Sequence, residues 1–150
     1  MASTQPQGCT NLKLRQLARR VTQHYDLELA KAGLKTTQYS LLSHVHKLGP
    51  VRPGDLAQAM TLDASTLTRN LKPLLDAGWV ALEAGADARS RSVTLTDTGR
   101  AKRAEGQRHW RAAQDGIHAL LGLQRVAALH VLLDESLATL SSLNPGDSDE

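Results

Sequence analysis

Phenylalanine is absent from the 150-residue sequence, and its aromatic residues are two tryptophans and two tyrosines. Hydrophobic residues still make up 41% of the chain, so its interior has to be built from leucine, valine and alanine. Such an interior favours packed helices over a β-sandwich, because strands are enriched in aromatic and β-branched residues. We therefore expect a mainly α fold.

Cysteine and long apolar runs are also scarce. The single cysteine, Cys9, excludes an internal disulfide and favours a reducing cytoplasm as the location. No apolar run approaches the roughly 18 residues that a membrane span requires. The start MASTQPQG lacks the basic-then-apolar pattern of a signal peptide. The expectation is a cytoplasmic protein without a membrane partner.

Motifs for catalysis and metal binding are missing as well. The sequence has no GxSxG, no glycine-rich phosphate loop, no HExxH and no CxxC. Of the six histidines, His44 and His46 are two residues apart, whereas two ligands on one helix face need a spacing of three or four. We expect no enzyme activity, no cofactor and no metal site. The alternative to the absence of a metal site is a metal-responsive regulator.

The sequence does contain an uneven distribution of charge. Residues 1–103 carry 15 Lys and Arg against eight Asp and Glu, and residues 104–150 carry three against seven. The first part therefore has a net charge of +7 and the last part −4. Such asymmetry indicates a polyanionic partner for the basic part, although uneven charge is also common on solvated surfaces.

Apolar residues at a helical spacing predict two helices in the first fifty residues. The first covers 10–31 and ends at Gly33. The second begins at a cap formed by Thr36 or Thr37 and stops at Gly49-Pro50. Each has an apolar stripe, which is typical of helices that pack on a core.

A second pair of helices follows after a short connection. Pro53 suits the first turn of a short helix. Asp63 or Ser65 is expected to cap a longer helix, which Gly78 closes. Pro73 lies inside this longer helix and deletes one backbone hydrogen bond, so a bend is expected there.

The apolar period then changes from that of a helix to that of a strand. Apolar residues occur at every second position in 80–83 and in 93–96, which predicts a β-hairpin with a long charged tip at 84–91. The helical period then returns, with apolar stripes on 101–121 and 123–143. The predicted fold is therefore mainly α with one hairpin, an α+β arrangement.

The segment PGDLAQAMTLDASTLTRNLKPLLDAG, residues 53–78, fits a helix-turn-helix. Leucines face inward on its second helix, so that short hydroxyls near the N-terminal end and two cations face outward. This is the polarity of a helix whose first turns contact base edges while its cations meet phosphates. The outward residues are Ser65, Thr66, Thr68, Arg69 and Lys72. An ordinary amphipathic surface helix is the alternative, since helix pairs occur in many folds.

The hairpin that directly follows makes the pattern that of a winged helix. Its tip carries Arg89 and Arg91, and arginines at a wing tip suit the minor groove, whose narrow A·T stretches concentrate negative potential. Asp87 is close enough in sequence to orient Arg89, while an exposed pair contributes only about 0–1 kcal/mol to stability. The combination predicts binding to double-stranded DNA. A protein-interaction module is the alternative, and it predicts an apolar wing.

At these residues the chain resembles the MarR family of winged-helix transcriptional regulators. The matching pieces are Asp87-x-Arg89 in the wing, Leu95-Thr96-x-x-Gly99 after it, and DLAQAM with STLTRNLKPLLDAGWV before it. The resemblance covers about 10–142 and implies a repressor that a small molecule or an oxidant releases from DNA. Carried onto this sequence, it implies DNA contacts by Ser65, Thr66, Thr68, Arg69, Arg89 and Arg91.

The resemblance also implies one domain over 1–150. Within it, 36–99 would form the winged helix-turn-helix DNA-binding lobe, and 10–33 and 100–143 the N- and C-terminal helices of a dimerisation region. The polar end, 144–150, is expected to form a flexible tail. The apolar stripes on the outer helices exceed what a small lobe covers, which independently favours a homodimer. A two-fold dimer is expected to read a palindromic operator with half-sites about one helical turn apart.

Two kinds of signal are implied by the resemblance. Some members sense oxidants through a cysteine near the start of the first helix, where Cys9 stands ahead of several arginines; a terminal thiol with no task is the alternative. Members also commonly bind a small aromatic or phenolic anion between the DNA lobe and the dimer helices. The candidates for this effector site are Arg15, Arg19, Tyr25, Tyr39, His44, His46 and Trp110. Core packing is the alternative for the aromatics, and it is the preferred interpretation for Trp79.

Overall fold

Six α-helices and a two-stranded antiparallel sheet form the described part of the chain, in a computed structural model that describes residues 4–85, 87 and 90–143. The expected mainly α architecture with one hairpin is confirmed. The chain forms two compact units, Met1–Ala113 and Gln114–Glu150. The elements are α1 (Thr10–Leu29), α2 (Thr36–Leu48), α3 (Pro53–Ala59), α4 (Ala64–Asp76), β1 (Val80–Ala84), β2 (Arg91–Leu95), α5 (Asp97–Leu121) and α6 (Leu123–Ser141).

The first helix begins and ends close to the predicted positions. Cys9 is the N-cap of α1, and its Sγ accepts a hydrogen bond from the backbone N–H of Leu12 at 3.5 Å. After Leu29 the chain makes one 3-10 turn over Ala30–Ala32 and stops at Gly33, whose φ is +71°. Glycine adopts this left-handed backbone without strain, which is why the helix ends there.

The start of α2 differs from the prediction. Lys35 occupies the N-cap position and Thr36 is the first helical residue, so the prediction that Thr36 or Thr37 caps α2 is wrong. The reason lies in tertiary structure: the backbone N–H and the hydroxyl of Thr36 both donate to Oδ1 of Asp26, at 2.8 and 2.6 Å. Asp26 belongs to α1, ten residues before Thr36. The sequence pattern around the start of α2 gives no indication of this contact between the two helices.

The boundaries of α3 and α4 follow their local signals. Pro53 is the first residue of α3, as predicted. Asp63 is the N-cap of α4, and the chain leaves that helix through Gly78, whose φ is +75°. Pro73 lies inside α4, which continues beyond it to Asp76.

Aliphatic side chains from α2, α3, α4 and the sheet form the core of the first unit. Leu42, Leu56, Leu74 and Val93 are fully buried, and burial of one such side chain contributes roughly 1.5–3 kcal/mol. Val51 and Val93 exchange backbone hydrogen bonds of 3.1 and 2.7 Å. This bridge attaches the start of the helix-turn-helix to the middle of strand β2.

Helix α5 approaches the core at Gly106. A Cβ at this position would lie 2.8 Å from Cδ1 of Leu34 and 2.9 Å from Cδ2 of Tyr39. A residue without a side chain therefore permits the observed distance between α5 and the start of α2.

The second unit consists of the end of α5 and of α6, and it exposes much apolar surface. Leu120, Leu123, Leu132 and Leu140 are between 62 and 72% exposed. Within residues 4–85, 87 and 90–143, no single helix is long and apolar enough to cross a membrane. The pair α5 and α6, bent by 104° at their junction, meets the length and composition criteria only when taken together.

Candidate nucleic-acid interface

The N-terminus of α4 is held by the carboxylate of Asp63. Its Oδ1 accepts hydrogen bonds from the backbone N–H of Thr66 at 2.7 Å and from the hydroxyl of Ser65 at 2.8 Å. The bond from the Thr66 backbone is the main reason that the pKa of Asp63 falls from 3.8 to about 2, and the Ser65 hydroxyl is the next. The carboxylate is therefore ionised at neutral pH and fixes the first turn of the helix.

Helix α4 buries its leucines and exposes the predicted polar residues. Leu67, Leu71 and Leu74 are buried, whereas Ser65, Thr68, Arg69 and Lys72 are exposed and Thr66 is half-buried. The five residues that the sequence singled out thus lie away from the core, in the first three turns of one helix.

Two of the hydroxyls on this face already donate their protons within the protein. The Ser65 hydroxyl donates to Asp63, and the Thr68 hydroxyl donates to the carbonyl of Ala64 at 2.9 Å. Each oxygen keeps its lone pairs. Toward DNA these two side chains are therefore acceptors, suited to the exocyclic amino groups of adenine or cytosine.

The two cations of the face differ in their surroundings. The guanidinium of Arg69 lies over the first turn, where it donates to Oγ1 of Thr66 at 3.3 Å and to the backbone carbonyl of Ser65 at 3.5 Å. Nζ of Lys72 is 3.1 Å from Oδ2 of Asp76, and both of these side chains are largely exposed. Arg69 is oriented by its own helix, whereas an exposed pair such as Lys72–Asp76 is weak and readily exchanged for a phosphate.

The hairpin stands directly after α4 and has the register of a wing. Val80 pairs with Leu95 at its base and Ala84 with Arg91 at its outer end. Arg91 is exposed, and the carbonyl of Asp87 accepts bonds from the backbone and hydroxyl of Ser90 at 3.0 and 3.1 Å. Arg89 lies outside the described residues, so its orientation by Asp87 stays a prediction.

The base of the wing is joined to α5 by Thr96. Its hydroxyl donates to the carbonyl of Gly78 at 2.6 Å and accepts from the backbone N–H of Gly99 at 3.0 Å. Gly99 is buried, and a Cβ there would overlap the carbonyl oxygen of Trp79. Thr96 and Gly99 therefore connect the end of α4, the wing and α5, a structural role that the Thr-x-x-Gly spacing alone did not reveal.

Lys102 adds a second connection, which the sequence did not indicate. Its Nζ donates to the carbonyl of Ala32 at 2.9 Å and to Oε2 of Glu105 at 3.1 Å, and it lies 5.6 Å from the centre of the Trp79 ring. Trp79 packs against the core, as preferred from the sequence. Lys102 thereby links the 3-10 turn after α1 to the base of the wing.

Several of the effector candidates lie in the core. Tyr39 is buried and stacks on Trp110, with ring centres 6.2 Å apart. Tyr25 packs against the same core, and burial raises the pKa of its phenol. Tyr39 thus belongs to the core, and Tyr25 and Trp110 are partly buried against it, so their role as an effector site stays a prediction.

The remaining candidates lie elsewhere. Arg15 and Arg19 are exposed on α1, and His46 is exposed near the end of α2. Nδ1 of His44 is 2.7 Å from the backbone carbonyl of Ser40 on its own helix. Cys9 is exposed at the start of α1, and in the described part of the chain no three His, Cys, Asp or Glu side chains cluster in a way that suits a metal ion.

A helix-turn-helix with an exposed cationic helix, followed by a wing, defines the class of winged-helix DNA-binding proteins. Comparisons with known proteins agree. A model of the MarR family matches residues 32–90. The transcriptional regulator MosR of M. tuberculosis, solved in complex with DNA, is 32% identical with a TM-score of 0.72, and the match covers 87% of this chain and 98% of MosR.

Two further relatives support the same assignment. A probable transcriptional regulator from Pseudomonas aeruginosa is 27% identical with a TM-score of 0.77, over 84% of this chain and 95% of that one. The uncharacterized HTH-type transcriptional regulator YwoH of Bacillus subtilis is 31% identical over 84 residues, which are 56% of this chain and 61% of YwoH. This last match thus spans less than two thirds of YwoH.

The chain belongs to the MarR family. It is a winged-helix transcriptional regulator, and the family consists of DNA-binding regulators and not of enzymes. The resemblance identified from the wing and the helix-turn-helix is therefore confirmed.

Proposed function

We propose that this regulator binds a palindromic operator as a homodimer and represses transcription until a small molecule or an oxidant releases it. The observation that carries the proposal is the exposed face of α4, where Arg69 is oriented over the first turn beside two acceptor hydroxyls. The proposed DNA contacts are Ser65, Thr66, Thr68, Arg69, Lys72, Asp87, Arg89 and Arg91. MosR was solved in complex with DNA, which supports carrying that partner to this chain.

The homodimer is supported by apolar surface on the outer helices. Leu12 and Leu14 on α1 are 51 and 49% exposed, and Leu137 and Leu140 on α6 are 53 and 67% exposed. Leu137 and Leu140 are three residues apart and share one face of α6, and an exposed apolar stripe of this kind marks an interaction surface. A second copy of the chain is the proposed occupant, since a two-fold dimer places two α4 helices on two half-sites.

The signal is proposed to act through Cys9 or through a ligand near the effector candidates. Cys9 is exposed, so an oxidant has access to its sulfur, and a small thiol or the second subunit would complete a disulfide. If Cys9 is the sensor, mild peroxide or hypochlorite weakens DNA binding of the wild type and leaves Cys9→Ser unaffected. Equal oxidant sensitivity of Cys9→Ser would leave small aromatic or phenolic ligands as the proposed signal.

The test of the function is footprinting on the protein's own upstream region, with sizing of the free protein and a reporter fused to that region. We expect protection of a palindrome, a mass of two chains and a reporter whose expression falls when the regulator is present. Binding that ignores sequence, or a monomer at micromolar concentration, contradicts the proposal. A reporter that the regulator turns on identifies an activator.

A further inference from the structure

A small notch opens between the start of α2 and the middle of α4. It has a volume of about 160 Å³, and among the proposed DNA contacts on α4, Arg69 lines it. Its lining residues are Lys35, Thr37, Gln38, Arg69, Asn70 and Pro73.

The lining of the notch is cationic and rich in polar groups. Lys35, the N-cap of α2, and Arg69 of α4 supply two positive charges, and none of the lining residues is acidic. Within the described residues, the side chains of Thr37 and Asn70 form no hydrogen bond with another protein group. Such a lining matches an anion that accepts several hydrogen bonds.

The start of α2 is held in place before any ligand arrives. Oε1 of Gln38 accepts the backbone N–H of Lys35 at 2.9 Å, which leaves the amide NH₂ of Gln38 to donate elsewhere. The bonds from Thr36 to Asp26 anchor the same turn to α1. A site organised in advance pays less in side-chain and backbone ordering when it binds.

The position of the notch relative to α4 indicates which anion it meets. Successive residues of a helix are about 100° apart around its axis. Asn70 and Pro73 therefore lie on the side of α4 that faces α2, next to the outward Arg69. When a helix lies in the major groove, which is about 12 Å wide, the sugar-phosphate strands run along its flanks. If α4 enters the major groove as proposed, one of these strands passes on the side of α4 that carries Asn70.

We propose that the notch binds a phosphodiester of the DNA backbone, with Lys35 supplying charge and Asn70 a neutral hydrogen bond. This inference rests on the proposed binding of DNA by α4. Such a contact would fix the register of the protein on DNA. A phosphate held between α2 and α4 sets the depth and the base pair at which the exposed face of α4 enters the groove. Lys35 and Asn70 are thus positioning residues that carry no base specificity themselves.

The experiment measures affinity across a salt series for operator and scrambled DNA with Lys35→Ala, Asn70→Ala and a charge-matched control, Lys31→Ala. Lys31 lies four residues before Lys35, is not among the lining residues of the notch, and is paired with Glu28 at 3.0 Å. We expect Lys35→Ala to weaken both DNAs by about threefold to tenfold and to lower the salt slope by about one. Asn70→Ala weakens both DNAs without changing the slope, because its amide is neutral, and Lys31→Ala matches the wild type.

A second arm identifies the source of the phosphate. Replacing single operator phosphates by neutral methylphosphonates should reveal one position per half-site that weakens the wild type but has no further effect on Lys35→Ala. If no such position exists, or if Lys35→Ala and Asn70→Ala bind like the wild type, the inference is wrong. Titration of the protein with inorganic phosphate, followed by NMR, tests the other source. If Lys35→Ala loses the chemical-shift response to phosphate but binds DNA as tightly as the wild type, the notch is a site for free phosphate and the proposal is overturned. Failure of the wild type to bind any DNA contradicts the proposed function instead.

Discussion

Arg69 is the residue of α4 best placed to distinguish one base pair from another. Its guanidinium is held by Thr66 and by the Ser65 carbonyl, and arginine makes a bidentate contact to guanine in the major groove. We expect Arg69→Ala to lose about 1–3 kcal/mol of discrimination between operator and scrambled DNA. Arg69→Lys should recover charge but little discrimination, because lysine lacks the planar fork. Competition binding checks both variants, and retained discrimination in Arg69→Ala would assign base reading to other residues.

Arg91 is expected to act differently, because it belongs to the wing. It is exposed at the first position of β2, where readout depends on charge and groove width. Arg91→Ala should weaken operator and scrambled DNA nearly alike and lower the salt slope by about one. Asp87→Ala should have a smaller effect. An Arg91→Ala variant that binds operator as tightly as the wild type at moderate salt would show that the hairpin is not a DNA-reading wing.

Asp63 links the stability of α4 to pH. Because the folded-state pKa of this carboxylate is lowered from 3.8 to about 2, its stabilising effect is complete above the ordinary pKa and is lost as the pH falls through about 2. Asparagine also caps helices but does not titrate. The difference in urea midpoint between the wild type and Asp63→Asn should therefore shrink between about pH 5 and pH 2. A difference that stays constant over this range would mean that the cap carries no charge effect.

At the scale of elements, the junction of wing and α5 depends on Gly99. An added Cβ would overlap the carbonyl of Trp79, so the wing and α5 would have to separate. We expect Gly99→Ala to destabilise the protein by about 1–3 kcal/mol. Gly54→Ala in α3 is the matched control, since nothing lies within 4 Å of its added Cβ and alanine reduces the entropy of the unfolded chain. Thermal melts compare the two, and equal melting temperatures would contradict this account of the junction.

At the scale of the whole molecule, the exposed leucines of α6 predict how the protein assembles. Leu137 is 53% exposed, and an aspartate there would place a charge in the proposed interface at a large desolvation cost. Leu137→Asp should sediment as one chain where the wild type sediments as two, and its melting temperature should lose its dependence on concentration. Leu48→Asp, at a 40% exposed leucine of α2, should leave the mass unchanged. An unchanged mass for Leu137→Asp would place the interface elsewhere.

Much of the fold was predictable because its signals are local. Pro53 begins α3, Asp63 caps α4 and Gly33 ends the first helical segment, each through the backbone preference of one residue. The cap of α2 was mispredicted for the opposite reason. The hydroxyl of Thr36 is bonded to Asp26 on another helix, and no pattern within α2 records that partner.

The candidate site shows the same division. Helical spacing determined which residues of α4 face outward, since the leucines have to be buried together. Spacing did not show that the Ser65 and Thr68 hydroxyls already donate within the protein, because that depends on side-chain geometry. The tip at Arg89 lies outside the described residues, and its role stays a prediction.

The sequence by itself determined the order of the elements, their boundaries to within a few residues and the family, because periodicity, capping and the wing motif are all properties of short segments. Tertiary structure alone decided which residues far apart in the chain meet. It placed Lys35 beside Asn70 at the notch, and it brought Lys102 to the carbonyl of Ala32. Those contacts arise because leucines from several elements share one core, and the polar groups around that core then have to find partners across the elements it joins.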